Sequence, residues 1–433
     1  MAKYVYIHTF GCQMNVHDSE KMLGVLREDG YSATNNPFEA DLIIFNTCSI
    51  RQKAEQKFFS ELGRMRSVRR KRPGLRIAVA GCIAQHEGKK IMGRAPHVDF
   101  IFGPQNLHIL RDIACGRAPR IALDENPEIA IRDLPVERGD MVRAWITIMY
   151  GCNNFCSYCI VPYTRGRERS RPSDHICSEV SELAVKGYKE ITLLGQNVNS
   201  YSSDLDFAGL LRRLNEIRGI ERIRFVTSHP KDLSANLIHA MSELDKVCEH
   251  IHLPLQSGSS NMLKLMNRGY TYADYAERIS EIRRIIPGIS ITSDIIAGFP
   301  GETDNDHLST IKALKEIEFD GIFAFKFSPR PHTRAALMQG HVPEEIKASR
   351  LSEILALQDN ITLRKNRLIE GTCQEILTEG ESETDPQKLM GRTRTNKIVT
   401  FSGDGNGTSK GAFLLVQITK GRRHSLEGTP VKI

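Results

Sequence analysis

Six short apolar runs, each followed by a helix-sized stretch, constrain residues 138–368 more than any other feature of the chain. They lie at 145–149 (WITIM), 190–194 (EITLL), 222–226 (RIRFV), 250–255 (HIHLPL), 290–296 (SITSDII) and 321–327 (GIFAFKF). Intervals such as 173–186 and 272–285 have helical length. Strands separated in this way predict a parallel sheet, because only a long crossover can bring a parallel neighbour into register. Six units in series predict a (β/α)6 barrel that stays open, two units short of eight. Reactive groups in such barrels gather on loops after the C-terminal strand ends, and the open side leaves room for a large substrate.

The flanks have a different character. Runs at 3–10 (KYVYIHTF), 41–46 (DLIIFN), 76–80 (RIAVA) and 99–102 (DFIF) alternate with helical stretches such as 18–29 and 53–66, predicting a small doubly wound α/β domain. A segment rich in Pro, Asp and Glu, 117–138, has no periodicity and reads as a linker. Past Pro343 a helical stripe of Leu351, Ile354, Leu355, Ile361 and Leu368 ties the barrel to the tail. From Ile369 short strands with Gly-rich turns (EILTEG, RTRTNKIVTF, AFLLVQIT, TPVKI) predict a small antiparallel, OB-like barrel of the size used for single-stranded nucleic acid. The expected divisions are 1–119, a linker at 120–137, 138–368 and 369–433.

Composition narrows the function classes. Hydrophobic residues are 40% and charged residues 26%, enough to bury sizeable cores. Mean hydropathy is −0.32, and no apolar run approaches the ~20 residues of a bilayer span, so no membrane partner is expected. The start, MAKYVYIHTFGC, does not read as a secretory signal, and ten cysteines are expected as reduced thiols in a cytoplasm. A net charge of +7 fits an anionic partner. Within 391–433, eight basic residues (Arg392, Arg394, Lys397, Lys410, Lys420, Arg422, Arg423, Lys432) face two acids, Asp404 and Glu427.

The cysteines give the sharpest chemical signal. Cys152, Cys156 and Cys159 form a C-x3-C-x2-C loop directly after the first barrel strand. Three thiolates so spaced suit three irons of a [4Fe–4S] cube and leave the fourth iron open to a small molecule. A closed zinc site is the plain alternative, but it needs a fourth ligand, and no second pair follows at suitable spacing. Cys12, Cys48 and Cys82 each fall just past a strand of the first domain, in FGC, NTC and AGC. Parallel strands would bring them to one sheet edge, as a second trio or as buried small residues. Cys115, Cys177, Cys248 and Cys373 share no spacing and read as packing residues.

The CxxxCxxC loop, the FGC/NTC/AGC triplet and the basic C-terminal barrel together resemble the radical S-adenosylmethionine (SAM) methylthiotransferases over essentially the whole chain. Matching stretches include GCNNFCSYCIVPYTRGRERSR, HLPLQSGS and SDIIAGFPGET. LLGQNVNSY and GRTRTNKIVTF look like the tRNA-modifying MiaB branch. The resemblance implies an N-terminal methylthiotransferase domain, a radical-SAM core and a TRAM domain. It implies two [4Fe–4S] clusters, one on Cys152, Cys156 and Cys159 that cleaves SAM to a 5′-deoxyadenosyl radical. The other, on Cys12, Cys48 and Cys82, would hold the sulfur to be transferred. One SAM would methylate that sulfur and a second would generate the radical. The implied reaction adds a methylthio group to C2 of N6-dimethylallyladenosine beside the anticodon. Threonylcarbamoyl adenosine or a ribosomal protein is the alternative target, and a non-catalytic RNA-binding Fe–S sensor the alternative class. Partners implied are the tRNA anticodon arm and an electron donor such as flavodoxin or ferredoxin, with the enzyme a cytoplasmic monomer.

Further residues follow from this fold. Tyr158, Gln196, Asn197, Gln256, Ser293 and Asp294 lie on the cluster loop or at barrel strand ends, where SAM contacts are expected. Gly298, Gly301 and Glu302 read as a turn and helix start. Arg165 and Arg167, in a run with Arg169 and Arg171, and Arg392, Arg394 and Lys397 in the tail are expected to contact tRNA. A second run, Arg64 to Arg72, closes a helix and suits its C-terminal dipole whatever its function. His17, His86, His229 and His332 have no spacing that marks a ligand.

Overall fold

The computed structural model describes residues 2–49, 52–403 and 409–431, and the side chains of all of these but 52–54. Lys432 and Asp404, counted above in the tail, lie outside the described residues.

The N-terminal strands β1 (Lys3–Thr9), β2 (Tyr31–Ala33), β3 (Leu42–Thr47), β4 (Arg76–Gly81), β5 (Phe100–Phe102) and β6 (Ile121–Ala122) form one parallel sheet, ordered β2-β1-β3-β4-β5-β6. β3 is buried throughout and β4 nearly so, as continuous apolar runs in a doubly covered sheet must be. Helix α1 (Gln13–Glu28) packs Met22, Val25 and Leu26 on one face. Helices α2 (Gln52–Lys71) and α3 (Cys82–Arg94) pack Phe58, Leu62, Ile83 and Ile91 on the other. The segment read as a linker therefore contributes the outermost strand, β6, whose two residues are too few to show a pattern in sequence.

The middle domain has β7 (Arg143–Thr147), β8 (Met149–Tyr150), β9 (Arg169–Ser170), β10 (Glu190–Leu194), β11 (Arg222–Phe225), β12 (His250–His252), β13 (Ser290–Ala297) and β14 (Gly321–Lys326). β7, β10 and β11 pair in parallel, as do β12, β13 and β14. A parallel bridge between Ile223 and Val247 joins the two triplets into a six-strand partial barrel. The first apolar run does not stay one strand. After Thr147 the chain leaves the barrel as β8, which pairs antiparallel with β9 and brackets the cysteine loop.

The helix Glu344–Arg367 follows as expected, but its buried face carries Lys347, Arg350, Ile354, Gln358 and Ile361. Leu355 and Leu368, placed on the stripe from sequence, are 41% and 76% exposed. The polar residues take their place because Arg350 pairs with Glu302 and Asp304, both at 2.7 Å, and Gln358 donates to the Phe319 carbonyl. No described helix is long and apolar enough to cross a membrane.

The C-terminal strands β15 (Cys373–Glu381), β16 (Leu389–Thr393), β17 (Ile398–Phe401), β18 (Phe413–Gly421) and β19 (Leu426–Pro430) close into a barrel ordered β15-β16-β17-β19-β18 around Ile376, Val399, Phe401, Val416, Ile418 and Leu426. It is not wholly antiparallel: β17 and β19 run parallel.

This barrel caps the N-terminal ends of the central strands through ion pairs. Arg222, 1% exposed, donates to Glu375 at 2.7 Å and to the Arg392 carbonyl at 2.8 Å. Arg224 pairs with buried Glu190 at 2.9 Å and donates to the carbonyls of Thr393 and Arg394. Arg394 pairs with Glu249 at 2.8 Å, Lys397 with Asp320 at 3.2 Å, and Glu379 bridges Arg143 and Arg392. Of the tail residues expected to touch tRNA, Arg394 and Lys397 are therefore spent on this contact, and the Arg392 side chain on Glu379 of its own barrel. Lys410, Arg422 and Arg423 also pair, with Asp140, Glu427 and Asp359. A count of basic residues overstates the free positive surface.

Candidate active site at the cysteine loops

Each cysteine of the first domain is delivered by a strand end. Cys12 is the N-cap of α1 just past β1, Cys48 follows β3 at once, and Cys82 opens α3 straight after β4. Gly11 has φ +124°, and a Cβ there would collide with the Cβ of Cys48, so only glycine lets these two loops approach. The Cys12 thiol hydrogen-bonds that of Cys48, which holds it down to about 6 against the opposing effect of burial. Burial pushes the Cys82 thiol up. The three predicted residues are brought together, two of them buried.

The second trio lies beyond the C-terminal end of β7. Gly151 has φ +72°, and a Cβ on it would strike the Arg167 carbonyl; its N–H donates to Gln196 Oε1. Cys152 and Cys156 are buried and Cys159 half-buried, and the Cys159 N–H donates to the Cys156 carbonyl at 2.9 Å. Burial pushes the Cys152 thiol up to about 11 and the Cys159 thiol up to about 12. Without metal these thiols are neutral, and metal binding must release their protons. Among the described residues, no three His, Cys, Asp or Glu side chains group as ligands of one metal ion. Three thiolates on one loop are the donor chemistry that a [4Fe–4S] cluster takes, one to each of three irons.

A cleft of about 40 Å³ is lined by residues of both the first and the middle domain. Ser49, Ile83 and Ile160 line it, and each is the residue directly after a cysteine: Cys48, Cys82 and Cys159. His86, Glu55 and Arg330 complete its wall, and the ring of His86 meets that of His332 edge-on at 5.1 Å. Sequence spacing had marked neither histidine.

The expected SAM contacts divide into two groups. Gln196 and Asn197 follow β10, and Asn197 Nδ2 donates to Asp232 at 2.7 Å. Gln196 Nε2, Asn197 Oδ1, Ser228 Oγ and His229 Nε2 are all buried without a partner, on the adjoining loops after β10 and β11. Such orphaned polar atoms suit the polar groups of a bound cofactor. Burial keeps His229 neutral, down to about 2. Ser228 carries no mark in the sequence and His229 no ligand spacing there, because only the fold brings their loop to that of Gln196. Gln256 is held at φ +75°, bridging to β13 through the Asp294 carbonyl and the Ile296 N–H. Asp294 Oδ1 lies 3.4 Å from His252 Nε2. Tyr158 turns its hydroxyl to Arg268 Nη1 at 3.4 Å.

Ser293 does not fit the expectation. Its buried hydroxyl accepts from the Leu255 N–H at 2.8 Å and donates to the Leu253 carbonyl at 3.1 Å, stitching β13 to its neighbour. Glu302 likewise accepts from the Gly298 N–H and from Arg350.

The basic run beyond the cluster loop is also mostly internal. Arg165 is 5% exposed and donates to Asp18 at 2.9 Å across the domain boundary, beside Cys82 and Cys12. Arg171 pairs with Glu179 and Asp133, and Arg169 with Glu125. Only Arg167 is left exposed, its guanidinium 4.5 Å above the Phe155 ring. Arg165→Ala should therefore cost about 3–5 kcal/mol by stranding the buried Asp18 carboxylate. The thermal midpoint should drop while tRNA affinity holds; weaker tRNA binding at unchanged stability would contradict this assignment. Of the four remaining cysteines, Cys248 is buried and Cys177 half-buried, whereas Cys115 and Cys373 are exposed rather than packed.

An open six-strand barrel with a three-cysteine loop at its C-terminal face defines a radical-SAM protein. The comparisons agree. Residues 146–314 match the Radical SAM superfamily, 4–103 the uncharacterized protein family UPF0004, and 367–431 the TRAM domain. The radical SAM methyltransferase TsrM of Kitasatospora setae shares the fold, with a TM-score of 0.59 at 14% identity over 77% of this chain and 75% of that one. The chain is 57% identical over 426 residues to the tRNA-2-methylthio-N(6)-dimethylallyladenosine synthase of Thermodesulfovibrio yellowstonii, covering 98% of each. It is 50% identical to that of Syntrophus aciditrophicus, covering 98% of this chain and 94% of the relative. The chain belongs to the family of tRNA-2-methylthio-N(6)-dimethylallyladenosine synthases, radical-SAM transferases that use SAM and a [4Fe–4S] cluster.

Proposed function

We propose that this chain adds a methylthio group to C2 of N6-dimethylallyladenosine beside the tRNA anticodon, with two cysteine trios serving one cleft. Cys152, Cys156 and Cys159 would hold the SAM-cleaving cluster, and Cys12, Cys48 and Cys82 the sulfur-donating one. The observation that supports this reading is one cleft lined by Ser49, Ile83 and Ile160, the residues that follow Cys48, Cys82 and Cys159 in the chain. Bound there, the clusters supply the electron for SAM cleavage and the sulfur, chemistry that side chains alone cannot perform.

The chain's own residues do the holding. Gln196 anchors the Gly151 N–H and so fixes where Cys152 points, while its Nε2 is left to meet a ligand. Neutral His229 and Asn197 present a donor or acceptor without bringing a charge into the barrel. Arg330, beside Glu55 and Cys48, places a cation at the rim where a phosphate-bearing substrate arrives. A low-potential one-electron carrier such as flavodoxin or ferredoxin completes the system.

The deciding experiment is nucleoside mass spectrometry of prenylated and unprenylated tRNA incubated anaerobically with reconstituted enzyme, SAM and reductant. The expected result is 2-methylthio product from the prenylated tRNA only. A prenyl-adenosine pool left unmodified would overturn the reading. A product on threonylcarbamoyl adenosine would move the chain to the sibling specificity.

A further inference from the structure

Each cysteine trio has a fully buried guanidinium against it, Arg165 and Arg268, and the two differ in how their charge is balanced; the half-buried Arg330 beside Cys48 has Glu55 with it. Arg165 lies beside Cys82 and Cys12, and its charge is met by the Asp18 carboxylate at 2.9 Å, itself 2% exposed. Arg268, 4% exposed, lies against the other trio. Its Nη1 donates to Cys156 Sγ at 3.3 Å and to the Tyr158 hydroxyl at 3.4 Å. Its Nη2 donates to the Pro254 carbonyl at 2.8 Å and its Nε to the Tyr270 hydroxyl at 3.0 Å. Apart from the sulfur, every one of these partners is neutral, and among the described residues no carboxylate forms an ion pair with Arg268.

A buried cation without a counter-charge is costly, so negative charge must come from what the trio binds. Reducing an iron–sulfur centre by one electron adds one negative charge to it. A cation that donates to one of its thiolates stabilises that reduced form and raises the potential; hydrogen bonds to sulfur and local charge are the known controls. At the other trio the carboxylate of Asp18 offsets the same influence from Arg165.

We propose that Arg268 makes the Cys152–Cys156–Cys159 centre the one that accepts the electron, while Asp18 keeps the Cys12–Cys48–Cys82 centre from competing for it. The sequence holds no hint of this. Arg268 belongs to a short loop, Asn267-Arg268-Gly269, more than a hundred residues from the thiol it touches. It acts through the cluster ligand and is a positioning residue. The inference rests on the two-centre reading above.

The test is potentiometry of the reconstituted holoenzyme followed by electron paramagnetic resonance, with variants lacking one trio used to assign each signal. Arg268→Met should move the midpoint of the Cys152 centre to more negative potential. Arg268→Lys, which keeps the charge, should stay nearer the parent. Asp18→Asn should move the midpoint of the other centre to more positive potential. Full iron with an unmoved midpoint in Arg268→Met would overturn the proposal. Should that variant fail to hold its iron, Asp18→Asn decides, and an unmoved second midpoint overturns it. A wild-type spectrum with one centre only would instead refute the two-centre reading, and leave the Arg268 arm to be judged on its own shift.

Discussion

Cys152→Ala should reduce SAM cleavage to background while leaving the fold intact. The loop has three thiols and no substitute: Cys177 and Cys248, the other cysteines of the barrel domain, lie on the helix Ser173–Val185 and just ahead of β12. Alanine in place of one small buried thiol costs about 1 kcal/mol, and the Gly151 N–H and Cys152 N–H keep their bonds to Gln196 and the Gly166 carbonyl. The measurement is 5′-deoxyadenosine formed with a strong reductant, alongside circular dichroism. Cleavage at the parent rate would remove this trio from the radical step.

Cys48→Ala should separate the two halves of the reaction. The first-domain trio loses a ligand, so no methylthio group reaches tRNA, whereas SAM cleavage at the barrel trio continues as an abortive reaction. Cys48 is 2% exposed and packed under Gly11, so truncation again removes only a sulfur. The experiment compares 5′-deoxyadenosine with methylthiolated nucleoside in the same incubation. Loss of cleavage here, with the barrel trio's iron at full occupancy, would contradict the division of roles.

Much of this architecture was legible in the chain. Parallel strands buried on both faces show as uninterrupted apolar runs, so β3, β4 and β10 stood out, and the cysteines could be placed by counting from strand ends. β6 could not, since two residues carry no period. Arginines were the main source of misreading. Arg165, Arg392 and Arg394 resemble phosphate ligands in sequence, but a charge count says nothing of whether Asp18 or Glu249 waits across a domain boundary, or Glu379 on the neighbouring strand. Ser293 was misread for a similar reason: a hydroxyl at a strand end looks free until the neighbouring strand supplies its partners. The reverse holds for Arg268 and His229, whose roles exist only once distant loops meet.

The capping of the central strands by the tail has a consequence for how a partner must lie. The ion pairs of Arg143, Arg222, Glu249 and Asp320 weld the small barrel to the floor of the large one, while the thiol loops form its roof. β13 alone has eight residues, a rise of ~26 Å at ~3.3 Å each. The tail barrel and the thiol loops are thereby fixed at opposite ends of the strands, so that any partner touching both would have to span that height.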